Sequence, residues 1–163
     1  MVDLLQEHSI AVALRAFLLS IDPTGDVDRD AARAEIATLI GDRIHYQHAP
    51  EFTPNECEQG IDPYVWYRQS GTIKDRCLES YDPNPHIVTL DVEVWSVDPA
   101  TGEQVEHDFA VLLEGFTGLL GLINVFDVLI ENQDDDYVPQ GISGDYGLHG
   151  QAFQIEFYPD WST

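Results

Sequence analysis

Two histidines and one run of acids come closest, in type and spacing, to a site that could do chemistry. His45 and His48 are three residues apart, which places them on opposite faces of a strand, so one metal ion could bind both only at a bend. Asp134, Asp135 and Asp136 could attract calcium, but the sixth position of an EF-hand loop needs glycine and is proline here. We therefore expect neither a metal nor a cofactor. An enzyme that uses His45 or His48 is kept as an alternative.

The glycine-rich motifs of nucleotide-binding and acyl-transfer enzymes are also missing from the sequence. Residues 141–144 read Gly-Ile-Ser-Gly, one residue short of the nucleophile elbow, and they precede a predicted strand where that motif needs a strand-to-helix turn. Neither a phosphate-binding P-loop nor a dinucleotide-binding glycine motif occurs. The sequence therefore predicts a protein without catalytic residues.

The charge of the chain is strongly negative and unevenly distributed. The 163 residues include 30 Asp and Glu against 7 Lys and Arg, for a formal net charge of -23. All 7 cations lie in residues 1–76, and residues 77–163 carry 17 acids and no Lys or Arg. Nucleic-acid binding depends on Lys and Arg contacts to phosphates, so tight binding to nucleic acid is not expected. No apolar run is long enough to cross a bilayer, and we expect no contact with a membrane.

The first half of the chain is predicted to form two helices and then two strands. Apolar residues repeat every three or four positions from Ile10 to Ile21, which is typical of an amphipathic helix. Aromatic and β-branched residues after Pro63 are typical of a strand. The predicted elements are helices at about residues 3–20 and before Gly41, and strands at 43–48 and from Pro63 to a turn at Ser70 and Gly71.

The second half is predicted to form a strand, a helix and two further strands. On the first of these strands apolar and polar residues alternate, so that one face belongs to the core and Trp95 lies on the other face. The predicted inward residues of this strand are Val88, Leu90, Val92 and Val94. The later elements are a helix at about 100–118, a strand with Phe126, Val128 and Ile130 inward, a mobile acidic loop at 132–147, and a strand with Phe153, Ile155 and Phe157 inward.

The resulting order, α-α-β-β-β-α-β-β, is typical of an α+β fold. We expect a single domain over residues 1–163, since a chain of this size can bury its own core. The prediction is a mainly antiparallel sheet of about five strands with the helices packed on one face.

Three segments in a fixed order resemble the tail-completion proteins of long-tailed bacteriophages, also called tail terminators or tail-to-head joining proteins. They are an Ile-Gly-Asp-Arg-Ile turn followed by Ala-Pro, a Pro-Tyr strand with Ser-Gly after it, and a Val-Thr-Leu-Asp-Val-Glu-Val-Trp strand. The residues that carry the resemblance are Gly41, Asp42, Arg43, Pro50, Pro63, Tyr64, Ser70, Gly71 and residues 88–95. The chain departs from the pattern in a longer connection at 51–62, a longer loop at 132–147 and a greater content of acid.

The resemblance implies a structural role in the virion tail, with assembly in the host cytoplasm. Subunits of this family form a ring, thought of as a hexamer, that caps the tail tube and meets the head. The implied partners are further copies of the chain, a tail-tube protein and a head-completion protein, and an isolated subunit can remain monomeric. A ring lined with carboxylates would let DNA slide, because like charges repel within a Debye length of about 8 Å.

A closed ring needs two different patches that meet head to tail, and the uneven charge could supply them. The residues predicted for the subunit interface are Arg43, Arg68, Lys74, Arg76, Asp91, Glu93 and Trp95. Asp134, Asp135 and Asp136 are predicted to face the lumen or the head. Alternatively, the cations make pairs within their own chain or sit in solvent. The rival function is that of an acidic DNA mimic that inhibits a DNA-binding partner.

Overall fold

The computed structural model describes the backbone of residues 2–76, 81–120, 123–137 and 147–160, and the side chains of residues 10–70, 87–120, 123–131 and 147–160. The helices are α1 (Val2–Leu19), α2 (Val27–Leu39), α3 (Pro54–Gln59) and α4 (Pro99–Leu113). The strands are β1 (Ile44–Tyr46), β2 (Tyr64–Arg76), β3 (Tyr81–Ser96), β4 (Gly118–Leu120), β5 (Ile123–Tyr137) and β6 (His149–Asp160).

These strands form one sheet in the order β1-β2-β3-β6-β5-β4. The β1–β2 pair is parallel and the other pairs are antiparallel. The α+β prediction with a mainly antiparallel sheet is therefore confirmed, and β4 brings the number of strands from the predicted five to six. Both edge strands, β1 and β4, are only three residues long.

Helices α1 and α4 pack on one face of the sheet, which we call the inner face, and α2 lies on the same side, packed mainly against α4. Tyr67 on β2 donates its hydroxyl hydrogen to the carbonyl of Ala11 and so joins the sheet to α1. Each large apolar side chain buried here contributes about 1.5–3 kcal/mol to the free energy of unfolding. The buried residues of β3 and β6 include, as predicted, Val88, Leu90, Val92, Val94, Phe153, Ile155 and Phe157.

Capping residues set the starts of two of these helices. The carboxylate of Asp26 accepts hydrogen bonds from two backbone N–H groups in the first turn of α2. The carboxylate of Asp98 does the same once for α4, where Pro99 takes the first helical position. These caps satisfy N–H groups that have no partner inside the helix.

Helix α4 ends at Leu113, five residues before the predicted end. Gly115 has a positive φ of 71° and its N–H donates to the carbonyl of Val128 at 2.8 Å, so the chain turns back toward the sheet. The residues after the turn form β4 instead of a last helical turn. The prediction that this helix continues to residue 118 was wrong, because the apolar residues that suggested it continue past the turn. Phe116, for example, is buried but lies outside the helix.

Two β-bulges explain the differences in the strands. The register of β2 shifts between Gln69 and Gly71, so the chain continues as a strand to Arg76 where a turn was predicted. The register of β5 shifts between Val125 and Asp127, and Phe126 at this bulge is exposed, not inward as predicted. Strand β5 then continues to Tyr137, so the prediction of a loop that starts at residue 132 was also wrong. Residues 138–146 lie outside the described backbone.

The second face of the sheet, which we call the outer face, is partly covered by α3 and its flanking residues. A smaller cluster joins this segment to the sheet through Cys57, Ile61, Tyr64, Trp95 and Leu148. The three predicted helices therefore lie on one side of the sheet as predicted, and α3, a fourth helix that was not predicted, lies on the other side. No helix among the described residues is long and apolar enough to cross a membrane.

Candidate subunit interface

The C-termini of α1 and α4 lack basic residues of their own, and two arginines of α2 take their place. The guanidinium of Arg33 donates to the carbonyl of Phe17, near the end of α1, at 3.4 Å. The guanidinium of Arg29 donates to the carbonyls of Leu112 and Glu114, at the end of α4, at 2.7 and 3.2 Å. A cation beside the carbonyls at a helix C-terminus complements the negative end of the helix dipole.

Arg43 lies at the C-terminus of α2 and binds its last carbonyl in the same way. Its guanidinium donates to the carbonyl of Leu39 at 3.0 Å and to the carbonyl of Pro63, just before β2, at 2.7 Å. Arg15 of α1 in turn donates to the carbonyl of Ile44 on the edge strand β1, at 2.9 Å. Both arginines therefore join segments of their own chain that are distant in sequence.

These contacts change how the uneven charge is interpreted. Five arginines have described side chains, and four of them bind backbone carbonyls of the same chain. Sequence reasoning missed this role, although helices that lack a basic last turn were a usable signal. Arg43 has contacts within its own chain, and its predicted contact between subunits stays a prediction.

Arg68 is the fifth of these arginines and lies on the outer face of β2. Its guanidinium is 3.8 Å from the carboxylate of Asp91 on β3 and 6.0 Å from the ring centroid of Trp66. The amide of Gln154 on β6 donates to the same carboxylate at 2.7 Å. The arginine side chain is 62% exposed, so this ion pair contributes at most about 1 kcal/mol to stability. The structure thus brings together two predicted interface residues, Arg68 and Asp91.

Trp95 lies on the outer face as predicted, but it is packed by its own chain. Only 5% of its surface is exposed. Its indole N–H donates to the carboxylate of Glu93 at 3.1 Å. A Cβ atom on Gly150, directly opposite on β6, would lie 2.6 Å from the indole, so this close approach requires glycine. A role of Trp95 between subunits stays a prediction, and Glu93 is the more accessible of the pair.

The turn residues of the family-like segments have structural contacts. Gly41 has a positive φ of 62°, which ends α2 in the left-handed region that favours glycine. The carbonyl of Asp42 accepts a hydrogen bond from Arg15 at 3.3 Å. Tyr64 is buried beside the outer cluster, and burial raises the pKa of its hydroxyl to about 12. Ser70 donates to the carbonyl of Thr89 at 3.4 Å, next to the β2 bulge.

The two histidines do not form a common site. His45 lies on β1, half-buried, with its ring centroid 6.2 Å from that of Tyr64, and His48 is exposed two residues after the strand ends. Burial lowers the pKa of His45, and the positive charge of Arg15 lowers it further. Within the described residues, no three His, Cys, Asp or Glu side chains come close enough to hold a metal ion.

The remaining predicted residues are placed by their backbone alone. Lys74 stands opposite Pro85 and Arg76 opposite Tyr81 in the β2–β3 pair. Asp134 pairs with Ala152 of β6, and its neighbours Asp135 and Asp136 also belong to β5. The side chains of all five lie outside the described ones. Their predicted places in the interface, the lumen or the head contact stay predictions.

Comparison with known proteins gives the fold. No protein-family model and no curated protein matches the chain. A chain from the solved structure of the virion of a native gene transfer agent particle is similar, with a TM-score of 0.53 and 11% identity over 86% of this chain and 98% of that one. A second solved chain has a TM-score of 0.44 and 13% identity, over 85% and 99% of the two chains. The α+β architecture described above is therefore also the architecture of a virion protein.

Proposed function

We propose that this chain is a structural subunit of a phage-like virion, and that it forms a ring at the end of the tail tube where the tail meets the head. The observation that carries the proposal is the shared fold, which extends over 98% of the gene transfer agent virion chain. The ordered segments from Gly41 to Trp95 add the resemblance to tail-completion proteins. The partners would be further copies of the chain, in a ring of six, the tail-tube protein and a head-completion protein.

The open part of the outer face suits a surface that DNA passes. Arg68 stands there among several carboxylates whose side chains are at least partly exposed. They are Asp91, Glu93, Asp127, Glu131 and Glu156. Carboxylates repel the phosphates of DNA, and the repulsion acts within about 8 Å at physiological salt. In the proposed ring this face points to the lumen, in place of the subunit interface first predicted for Arg68, Asp91 and Glu93, so DNA slides past without being held.

The rival function, an acidic DNA mimic, would use the same carboxylates in another way. Asp91 accepts from Gln154, Glu93 accepts from Trp95, and Glu156 accepts from the hydroxyl of Tyr158 at 3.1 Å. These oxygens keep their negative charge when they accept such bonds, and a mimic would offer them to a basic protein. A mimic would also bind basic proteins with an affinity that falls steeply as salt rises.

The proposal is tested in a strain that produces the particles, by deleting the gene and imaging the products by electron microscopy. We expect tails that lack a closed end and stay separate from filled heads. Purified protein added to such tails should restore the end structure and the joining of heads. Normal joined particles from the deletion strain would overturn the proposal. Salt-sensitive binding to DNA-binding proteins in place of tails would favour the mimic.

A further inference from the structure

A cleft lies between α2 and α4, on the helix side of the sheet. It holds about 560 Å³ of space and is wide open to solvent. Carboxylates line it from both helices, those of Asp28 and Glu35 on α2 and that of Asp108 on α4. Within the described part of the chain, no lysine or arginine lines this space. We call it the α2–α4 cleft; its acids would attract a positively charged group.

Asp108 has an unused hydrogen-bond acceptor in the wall of this cleft. The residue is only 5% exposed. Its Oδ1 accepts a hydrogen bond from the amide of Gln104 at 3.1 Å, while its Oδ2 is buried and has no hydrogen-bond partner among the described residues. Buried polar atoms in proteins nearly always have a partner, because an unpaired one carries the full cost of its lost hydration. The unpaired oxygen therefore points to a ligand that brings a donor.

The charges around Asp108 favour a positively charged donor. Burial raises the pKa of Asp108, the hydrogen bond from Gln104 lowers it, and the charge of Glu35 on the facing helix raises it again. His107 also lines the cleft, and its positive form lowers the pKa of Asp108. A cation between Glu35 and Asp108 would offset the repulsion between the two carboxylates and supply the missing donor. No three His, Cys, Asp or Glu side chains among the described ones can hold a metal ion, so the cation has to bring its own N–H donors.

The rest of the lining suits the stem of a long basic side chain. Ala31, Ala32 and Val111 give the cleft a small apolar surface beside the acids. Lysine and arginine bury their methylene stems along apolar surface and keep the charged head at polar groups. The guanidinium of arginine can also bridge two carboxylates, because its donors form a planar fork.

We propose that the α2–α4 cleft binds a lysine or arginine side chain of a different virion protein, with the charged head between Glu35 and Asp108. Another copy of this chain is the weaker choice, because each of the five arginines with described side chains already contacts its own chain. In the proposed ring the outer face points to the lumen, so the helix side and its cleft point outward, where a neighbouring protein can reach them. The choice of a virion protein rests on the proposed function, whereas the cation site does not.

An arginine probe tests the cation site on the purified chain. N-acetyl-arginine amide is titrated into isotope-labelled protein, and the NMR chemical shifts are followed, including those of the side-chain amide of Gln104. We expect a saturable set of shifts confined to the α2–α4 cleft. Asp108→Asn should weaken the binding about tenfold or more, because it removes the buried charge that the guanidinium pairs with. Glu35→Gln, a change at an exposed residue, should weaken it by a smaller factor.

Two controls separate a specific site from general attraction to an acidic protein. N-acetyl-citrulline amide has nearly the shape of the probe without its charge and should give no saturable shifts. Glu103→Gln removes an exposed charge of α4 outside the cleft and should keep the wild-type affinity. Shifts spread over the whole acidic surface, or equal affinity in Asp108→Asn and wild type, would overturn the proposal.

Thermal melting separates a binding role of Asp108 from a structural one. We expect Asp108→Asn to melt at or above the wild-type temperature at neutral pH while it binds the probe more weakly, because the unpaired charge is a cost to the free chain. Binding that is lost only in variants that have also lost stability would overturn the proposal. Glu35→Gln keeps this test decisive should Asp108→Asn fail to fold.

Cross-linking in particles identifies the source of the cation. Ala31→Cys places a thiol at the exposed rim of the cleft, in a chain whose native thiols are removed by Cys57→Ala and Cys77→Ser. This protein is labelled with benzophenone maleimide, added to tails and heads from the deletion strain, and activated by light. We expect a cross-link to a lysine- or arginine-containing peptide of a different virion protein, reduced about tenfold when Asp108→Asn is added.

The outcomes separate this inference from the proposed function. A cross-link to a second copy near Lys74 or Arg76, or no cross-link at all, would overturn the choice of partner. Normal particles from the deletion strain would overturn the proposed function, while saturable binding of the arginine probe to the purified chain would still support the cation site. Probe binding together with a cross-link to another virion protein supports the whole inference.

Discussion

The inner and outer faces of the sheet are built by the same strands but differ in what covers them. The inner face is buried under α1, α2 and α4, and its side chains are almost all apolar. The outer face is covered by α3 at one end and elsewhere carries charged and polar side chains beside the exposed Phe126 and Leu129. Neighbouring residues on β6 show the contrast, since Phe153 is fully buried and Gln154 is half-buried in a polar row. The stability of the fold should therefore depend mainly on the inner face.

The largest difference in stability is expected between two alanine substitutions on β6, one on each face of the sheet. Phe153→Ala removes a buried ring that packs on Phe109, with centroids 5.3 Å apart, and should cost about 3–5 kcal/mol. Gln154→Ala removes a hydrogen bond to Asp91 on the partly exposed face and should cost less than about 1.5 kcal/mol. Urea unfolding followed by tryptophan fluorescence measures both. Similar losses for the two variants would contradict the assignment of stability to the inner face.

The next comparison sets an arginine of the helix layer against the arginine of the outer face. Arg33 is buried, donates to the carbonyls of Phe17 and Asp22, and lies 3.9 Å from Asp30. Arg33→Met should therefore cost about 2–3 kcal/mol, because the carbonyls lose a charged donor. Arg68→Met should change stability by less than about 1 kcal/mol.

Thermal melting of both methionine variants checks this difference. Methionine keeps most of the length and apolar stem of arginine, so the change isolates the guanidinium. A larger loss of stability in Arg68→Met would mean that the outer face, and not the capping arginines, depends on cationic contacts.

The sequence was sufficient to predict those elements whose residue pattern is strong and depends only on neighbouring positions. The alternation from Val88 to Val94 predicted a buried strand face, because a two-residue period places every second side chain on the core. The glycine at position 41 predicted the end of α2 because a positive φ favours glycine. The overall α+β order followed from these elements.

The rest of the fold depends on contacts that local patterns do not contain. The bulge at Phe126 and the continuation of β2 past Gly71 are set by the partner strands, so the turn and the inward residue were predicted wrongly. The interface hypothesis divided the cations by their position in the sequence. The structure instead joins Arg29 to Glu114, a contact over 85 residues, which no sequence spacing could indicate.

The next prediction concerns the close packing of Gly150 against Trp95, at the covered end of the outer face. Gly150→Ala would place a methyl group 2.6 Å from the indole of Trp95 and should cost about 1–3 kcal/mol through overpacking. In a Trp95→Leu background the same alanine should cost at least about 1 kcal/mol less, since the indole is gone. A double-mutant cycle by urea unfolding gives the coupling. An additive cycle would contradict a direct clash between the two residues.

The smallest effect concerns an acid in the helix layer. Asp108 of α4 is buried; one carboxylate oxygen accepts from Gln104 at 3.1 Å and the other has no hydrogen-bond partner. Burial raises the pKa of Asp108 above its ordinary value of 3.8, and the nearby charge of Glu35 raises it further. An acid whose pKa is raised by folding binds more protons in the folded state than in the unfolded state. The free energy of unfolding therefore falls as pH rises through the window that begins near 3.8.

Asp108→Asn removes the charge and keeps the shape of this side chain. Above the window the variant should be more stable than the wild type, because the wild type must hold an ion in a buried place. The advantage should shrink as pH falls and the wild-type carboxyl takes up its proton. Unfolding in urea from about pH 4 to about pH 8 measures the difference, and Glu103→Gln, an exposed neutralisation on the same helix, is the control. A constant difference across this range would mean that the charge of Asp108 carries no cost, and that the helix layer tolerates ions as the outer face does.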